Sequence, residues 1–238
     1  MANDPRTSDL EKAAAARASV RFVHDGNIVG LGTGSTAAHA VRFLGERVRA
    51  GLKVRGIPTS VQTRDLAISA GIPLTALDEI QRIGLQPIDV TIDGADEFDA
   101  RLRLIKGGGG ALLREKIIAS ASKQVVIIAD SSKQVAALGK FPLPVEVIPF
   151  AQSLIAARIA ALGATVKLRK DAKRNPFVSD EGHHILDCAF GQISDPPALA
   201  RTLSDMPGIV EHGLFIGLAT IVLVANGENV TELRRRAE

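Results

Sequence analysis

Three stretches of the chain carry residue types that could do chemistry. Thr91-Ile92-Asp93-Gly94-Ala95-Asp96-Glu97 puts three carboxylates at the end of a strand-like run. Open α/β sheets take their ligands at the carboxyl ends of strands. Gly94 and Ala95 leave room for a substrate against the backbone, although Asp-Gly is also a common turn pair. Lys106 then precedes four consecutive glycines, Gly107, Gly108, Gly109 and Gly110. Such a run has a large conformational entropy cost, which is reasonable where backbone must approach a ligand; a flexible hinge is the alternative. Lys106 at the loop mouth supplies a charge that can stabilise a developing oxyanion. Glu115 follows in a helix-like segment. At about 100° per residue it shares a face with Leu112, Ile118 and Ala119, while Arg114 and Lys116 project elsewhere. A carboxylate among apolar neighbours would be desolvated and become a stronger base. An exposed glutamate in an i,i+4 pattern would look the same.

A glycine loop lies upstream, Gly30-Leu31-Gly32-Thr33-Gly34-Ser35-Thr36, between a strand-like and a helix-like segment. Backbone N–H groups there point outwards, and a helix N-terminus favours negative charge. Thr33, Ser35 and Thr36 add hydroxyls. The third glycine comes one residue too early for a dinucleotide fingerprint, and no Gly-Lys-Ser/Thr follows as in a P-loop. One phosphate or carboxylate group fits better, with a tight Ser/Thr-capped turn as the alternative. Lys133, in Asp130-Ser131-Ser132-Lys133, sits just past the apolar run Val125–Ala129, again at a strand's carboxyl end.

The elements that must position these residues alternate. Residues 9–23, 36–48, 60–70 and 111–122 read as helices; 27–31, 53–57, 89–92 and 125–129 read as strands. Apolar strands separated by helices predict a parallel sheet covered on both faces. The rhythm changes at Phe141-Pro142-Leu143-Pro144. Strands at 145–148, 165–168 and 184–188 and helices at 151–162 and 196–203 follow, with further strands within 209–214 and 221–224. The order βαββαβ suggests a small split βαβ domain. The expected organisation is therefore a large domain of 1–138 plus 210–238, with 139–209 inserted.

A chain of 238 residues, 46% hydrophobic and 23% charged, is ordinary for a globular protein of one large or two small domains. The net charge of +3, with neither Trp nor Tyr, gives single-strand stacking little to work with, so no nucleic-acid partner is expected. Arg169-Lys170, Lys173-Arg174 and Arg234-Arg235-Arg236 read as solvated surface. One cysteine, Cys188, permits no intrachain disulfide and reads as a small buried residue. His183-His184 lacks further ligands at zinc spacing. The N-terminal residues have no apolar signal core, and the longest apolar runs are too short for a bilayer, so the expected setting is the cytoplasm, with no membrane partner.

GLGTGSTAAHA (30–40), TIDGADE (91–97), IKGGGGALLREKIIA (105–119), IADSSKQV (128–135) and LGKFPLPVEVIP (138–149) together resemble the type A ribose-5-phosphate isomerase family. The resemblance runs from about residue 9 to the strand near Leu223. It implies a Rossmann-like parallel-sheet domain with an inserted smaller α+β, ferredoxin-like domain. It also implies isomerisation of ribose 5-phosphate and ribulose 5-phosphate without metal or organic cofactor, and a dimer or tetramer. Carried over by position, Glu115 resembles the proton acceptor, and Asp93, Asp96 and Lys106 its partners around the sugar. Thr33, Gly34, Ser35, Thr36, Gly94, Ala95, Gly107, Gly108, Gly109 and Lys133 resemble further substrate contacts. Gly110 stands where some relatives have alanine.

Two other classes compete. A sugar-phosphate sensor would keep the anion loop without needing Glu115 and Lys106, and would normally be joined to a DNA-binding module. An acyl-CoA transferase on a related architecture would use a glutamate nucleophile, and thioester exchange would reveal it.

Overall fold

The computed structural model describes residues 5–80 and 87–235. The chain forms two compact units: Met1–Ala95, Arg114–Gln134 and Gly217–Glu238 make the first, and Asp96–Leu113 and Val135–Ile216 the second.

The first unit is built on a six-stranded sheet of β1 (Ile28–Leu31), β2 (Arg55–Pro58), β3 (Ile88–Gly94), β6 (Ser122–Asp130), β12 (Ile221–Asn226) and β13 (Asn229–Arg234). The order is β13-β12-β6-β3-β1-β2, parallel except for the β12–β13 hairpin. Helices α1 (Pro5–Ser19), α2 (Ser35–Arg49), α3 (Val61–Ser69) and α4 (Leu112–Ser120) accompany it. The interior strands are apolar on both faces: Val125 to Ala129 and Ile221 to Leu223 are all buried, as a parallel sheet between helices requires. β13 has only exposed and half-buried residues and closes the sheet with a polar edge. β1 lies between β2 and β3, so successive crossovers leave it in opposite directions. This makes the carboxyl ends of β1 and β3 a topological switch point, where α/β proteins place their ligands.

The second unit contains β7 (Leu143–Val147), α5 (Gln152–Ala161), β8 (Thr165–Leu168), β9 (His184–Ala189), α6 (Pro196–Ser204) and β10 (Ile209–His212). Its sheet order is β10-β7-β9-β8, antiparallel throughout: the expected βαββαβ arrangement. Val145, Val147, Ile155, Ile159, Leu186 and Leu203 fill its core. This unit takes in more chain than 139–209. The short strands β4 (Glu97–Phe98), β5 (Leu104–Ile105) and β11 (Leu214–Phe215) form a three-stranded sheet, and Ile105 and Leu214 join the same core.

Cys188 is buried in that core, and burial, followed by the neighbouring Asp187, pushes its thiol up to about 12. Such a group stays protonated and inert at neutral pH. His183 contacts Glu146 (3.0 Å) and His184 contacts Gln152 (2.6 Å). Lys170, Lys173, Arg174, Arg234 and Arg235 are exposed, as their charge predicts; Arg236 lies outside the described residues. Arg169 corrects the expectation of solvated surface. Its side chain is only 13% exposed and is paired with Asp187. Among the described residues, no helix is long and apolar enough to cross a membrane.

Candidate active site

In the first unit, the loop after β1 meets the end of β3. Gly32 N donates to Ile92 O (2.9 Å), and Asp93 Oδ1 accepts from Thr33 N (3.2 Å) and Gly94 N (2.7 Å). A Cβ on residue 32 would lie 2.1 Å from that oxygen, so only glycine lets the buried carboxylate approach the loop. Asp93 is thereby fixed in orientation by two backbone donors. Gly94 and Ala95 are half-buried.

The loop continues into α2. Gly34, at φ 106°, is the residue before its first turn and offers no side-chain cap. By contrast, Ser60 caps α3 and Asp195 caps α6. The side-chain bond that satisfies first-turn N–H groups at α3 and α6 is not made at α2 or α5, and of these two uncapped ends the one at α2 lies at the switch point, where it is suited to an anion. The Thr33 hydroxyl has another task. It donates to Ser60 Oγ (2.8 Å) and contacts Thr59 Oγ1 (2.8 Å) and Thr63 Oγ1 (3.1 Å). Thr63 in turn donates to Gly32 O (2.9 Å). This buried hydroxyl cluster braces the loop from behind. Its members at 59–63 carry no motif, and the capping Ser60 was the one signal available. Ser35 is exposed and Thr36 buried at the start of the helix.

Glu115 falls in the first turn of α4 and is 3% exposed. Leu112, Ile118 and Ala119 are buried with it, whereas Arg114 and Lys116 are half-buried, as the helical spacing predicts. Lys133 ends a 3-10 turn, Ser131–Lys133, directly after β6. Two carboxylates hold that turn. Asp130 accepts from Ser132 N (3.0 Å). Glu11, buried on α1, accepts from Ser131 N (3.0 Å), Ser131 Oγ (2.8 Å) and Gly227 N (3.0 Å). Burial alone would raise the Glu11 carboxyl, but the Gly227 and Ser131 donors outweigh it and hold the group below its ordinary value of 4.5.

A lowered folded-state value means that Glu11 contributes stability above about pH 4.5, and that this is lost as pH falls through the folded value. Glu11→Gln is expected to be less stable at pH 7 by about 1–3 kcal/mol, with the gap to the parent closing below about pH 4. Thermal unfolding of both proteins across pH measures this. A gap that is constant with pH would show that the charge of Glu11 is not what matters.

In the second unit, Asp96 opens the three-stranded sheet. Its N–H donates to Ile105 O (2.8 Å), and its Oδ2 accepts from Gly108 N (2.7 Å). A Cβ on residue 108 would stand 2.5 Å from Asp96 Oδ1. Lys106 is buried just past β5; its N–H donates to Gly213 O (2.9 Å), and its Nζ lies 5.5 Å from the centre of the Phe215 ring. Gly107 to Gly110 form a closed turn, with Gly110 N bonded to Gly107 O (3.0 Å). Gly109 is exposed. Glu97 is turned to structural use: it is buried and accepts from Gly139 N (2.8 Å) and Phe141 N (2.5 Å). The acidic run thus divides. Asp93 is bonded to the first glycine loop, Asp96 to the second, and Glu97 to the segment before β7.

A Rossmann-like parallel sheet whose loops meet at a topological switch point defines an α/β protein of the class that takes its ligands there. Comparison with known proteins makes this particular. The profile of ribose 5-phosphate isomerase A (phosphoriboisomerase A) matches residues 55–229. Ribose-5-phosphate isomerase A of Bradyrhizobium diazoefficiens is 53% identical over 95% of this chain and 96% of its own, and that of Parvibaculum lavamentivorans is 54% identical over 91% and 94%. Among solved structures, a D-ribose-5-phosphate isomerase in complex with phospho-erythronic acid superposes with a TM-score of 0.91 at 38% identity, covering 96% of this chain and 99% of that one. Ribose 5-phosphate isomerase A from Methanocaldococcus jannaschii gives 0.88 at 42% identity, covering 95% and 98%. The chain belongs to the ribose 5-phosphate isomerase A family.

Proposed function

We propose that the chain interconverts D-ribose 5-phosphate and D-ribulose 5-phosphate through an enediolate, with Glu115 carrying the proton. The observation that carries this reading is the 53% identity to an isomerase of this name over nearly the whole of both chains. The ligand of the similar solved structure fits the chemistry. Phospho-erythronic acid has a phosphate at one end and a planar carboxylate at the other, and a planar anion is what C1, C2 and their oxygens become midway.

The steps follow from the substrate. The sugar opens from its ring form, and Asp93 exchanges a proton with the ring oxygen or the O1 and O2 hydroxyls. Glu115 takes the proton from C2; that electron pair forms the C1–C2 double bond, and negative charge moves onto O1. Lys106 and nearby backbone N–H groups stabilise the charge. O1 gains a proton and O2 loses one. Glu115 returns its proton to C1, which leaves the ketone at C2. Asp96 holds hydroxyl groups and orients the chain. The phosphate lies on Thr33 to Thr36 at the head of α2, with Gly107 to Gly109 and Lys133 as further contacts. Binding energy gathered at the phosphate then serves orientation at C1 and C2. We further propose a cytoplasmic homo-oligomer, a dimer or tetramer, without nucleic-acid partners.

The test is ribulose 5-phosphate formed from ribose 5-phosphate by the purified chain, with the same equilibrium approached from either side. Absence of turnover in both directions would overturn the reading.

A further inference from the structure

The second glycine loop is gripped from outside the residues assigned to substrate. Arg169 follows β8 and reaches back about sixty residues in sequence. Its Nη1 donates to Gly107 O (2.8 Å) and Gly108 O (3.2 Å). Its other face is committed to Asp187: Nε donates to Oδ2 (3.0 Å) and Nη2 to Oδ1 (2.5 Å). Phe177 completes the grip. Its N–H donates to Arg169 O (2.9 Å), the guanidinium carbon lies 5.9 Å from its ring centre, and the ring comes within 2.5 Å of where a Cβ on Gly110 would stand. All of these residues belong to the second unit.

The consequence lies in the peptide planes. In a trans peptide the C=O and the following N–H point in opposite directions, and no described peptide bond is cis. The Gly107–Gly108 peptide is held at both ends, its oxygen by Arg169 and its N–H by Asp96 Oδ2. The next peptide has its oxygen on the same guanidinium, which directs the Gly109 N–H away from Arg169, at an exposed residue. Glycines lack the side chains that would restrict these planes.

We infer that Arg169, oriented by Asp187, is a positioning residue of the isomerase. It fixes the peptide planes of the glycine loop, and through them the Asp96 carboxylate and the Gly109 N–H that face the sugar. The inference rests on the function proposed above. The planar fork accounts for the choice of residue: one side meets a carboxylate in two bonds while another nitrogen meets two carbonyls, which a lysine ammonium on a flexible stem cannot reproduce.

The experiment compares the parent with Arg169→Ala, Arg169→Lys and, as a control in the same basic run, Lys170→Ala. Three quantities are read: kcat and KM for ribose 5-phosphate, amide hydrogen exchange at Gly108 and in β7 and β9, and rescue of Arg169→Ala by millimolar guanidinium. Misplaced catalytic groups cost on the order of 10²-fold. Both Arg169 variants should therefore lose about 10- to 100-fold in kcat with KM within about threefold of the parent. Exchange at Gly108 should rise while β7 and β9 stay protected, guanidinium should restore part of kcat, and Lys170→Ala should match the parent. Unchanged exchange at Gly108, unchanged kcat, or a fully active Arg169→Lys would each overturn the inference. So would loss of protection throughout β7 and β9, since Arg169 would then act on folding alone. Because exchange at Gly108 does not depend on turnover, an inactive parent would refute the isomerase reading while the loop measurement still decides whether Arg169 fixes the peptide.

Discussion

Glu115→Gln is expected to fold, to keep a near-parental KM for ribose 5-phosphate, and to lose about 10²- to 10⁴-fold in kcat. The amide is nearly isosteric with the carboxylate and costs less to bury than a charge, so a group that is 3% exposed tolerates the change. It cannot accept the C2 proton. Loss of kcat without loss of affinity marks removal of an interaction made in the transition state. The variant should also stop exchanging the C2 hydrogen with solvent deuterium. Loss of exchange together with turnover places the defect at transfer of the C2 proton. Should turnover and exchange persist near parental rates, the base would have to be Asp93 or Asp96.

Much of this frame was legible in the residues. The fully apolar run Val125–Ala129 has no reason to exist outside a strand buried on both faces, and it is the heart of β6. β8 spans Thr165–Leu168 as expected. The short strands were hidden for a physical reason: β4, β5 and β11 have two residues each, too few for any periodicity. β4 pairs with β5 locally, β11 joins β5 from far along the chain, and 96–113 thereby falls in the second unit. β13 is different. Asn226-Gly227 between two strand-length segments is a hairpin signal, and its six residues pair with β12 as that signal dictates. It has no fully apolar run of the kind that marks the interior strands.

The site shows the same division. Residue type and spacing mark Asp93, Asp96, Lys106 and Glu115 as candidates, because carboxylates and a lysine beside glycines are uncommon. They did not separate Glu97, whose carboxylate serves backbone N–H groups at Gly139 and Phe141. Nor did they show that the Thr33 hydroxyl turns to Thr59, Ser60 and Thr63 rather than outward. Arg169 was the hardest to read. A basic run is usually solvated, and what distinguishes this arginine from Lys170 is a pair of carbonyls about sixty residues away.

Unphosphorylated ribose is expected to be a poor substrate, with kcat/KM lower by about 10³-fold or more. The reason is the head of α2. Gly34 leaves it without the side-chain cap that α3 and α6 have, and Ser35 and Thr36 bring two hydroxyls to its first turn. A neutral sugar gains little there. A phosphate gains charge-assisted hydrogen bonds, each contributing about 1.5–3 kcal/mol, and two or three of them amount to about 10³-fold in affinity. How that energy is used can be read from kinetics. If the phosphate only held the substrate, ribose would show a raised KM and a parental kcat. If it also orients C1 and C2 against Glu115, kcat falls too, and adding phosphite as a detached anion speeds the turnover of ribose. Comparable kcat/KM values for ribose and ribose 5-phosphate would reduce the loop to a tight turn between β1 and α2, and the anchor for the sugar would have to be sought on Lys133 or on the second glycine loop.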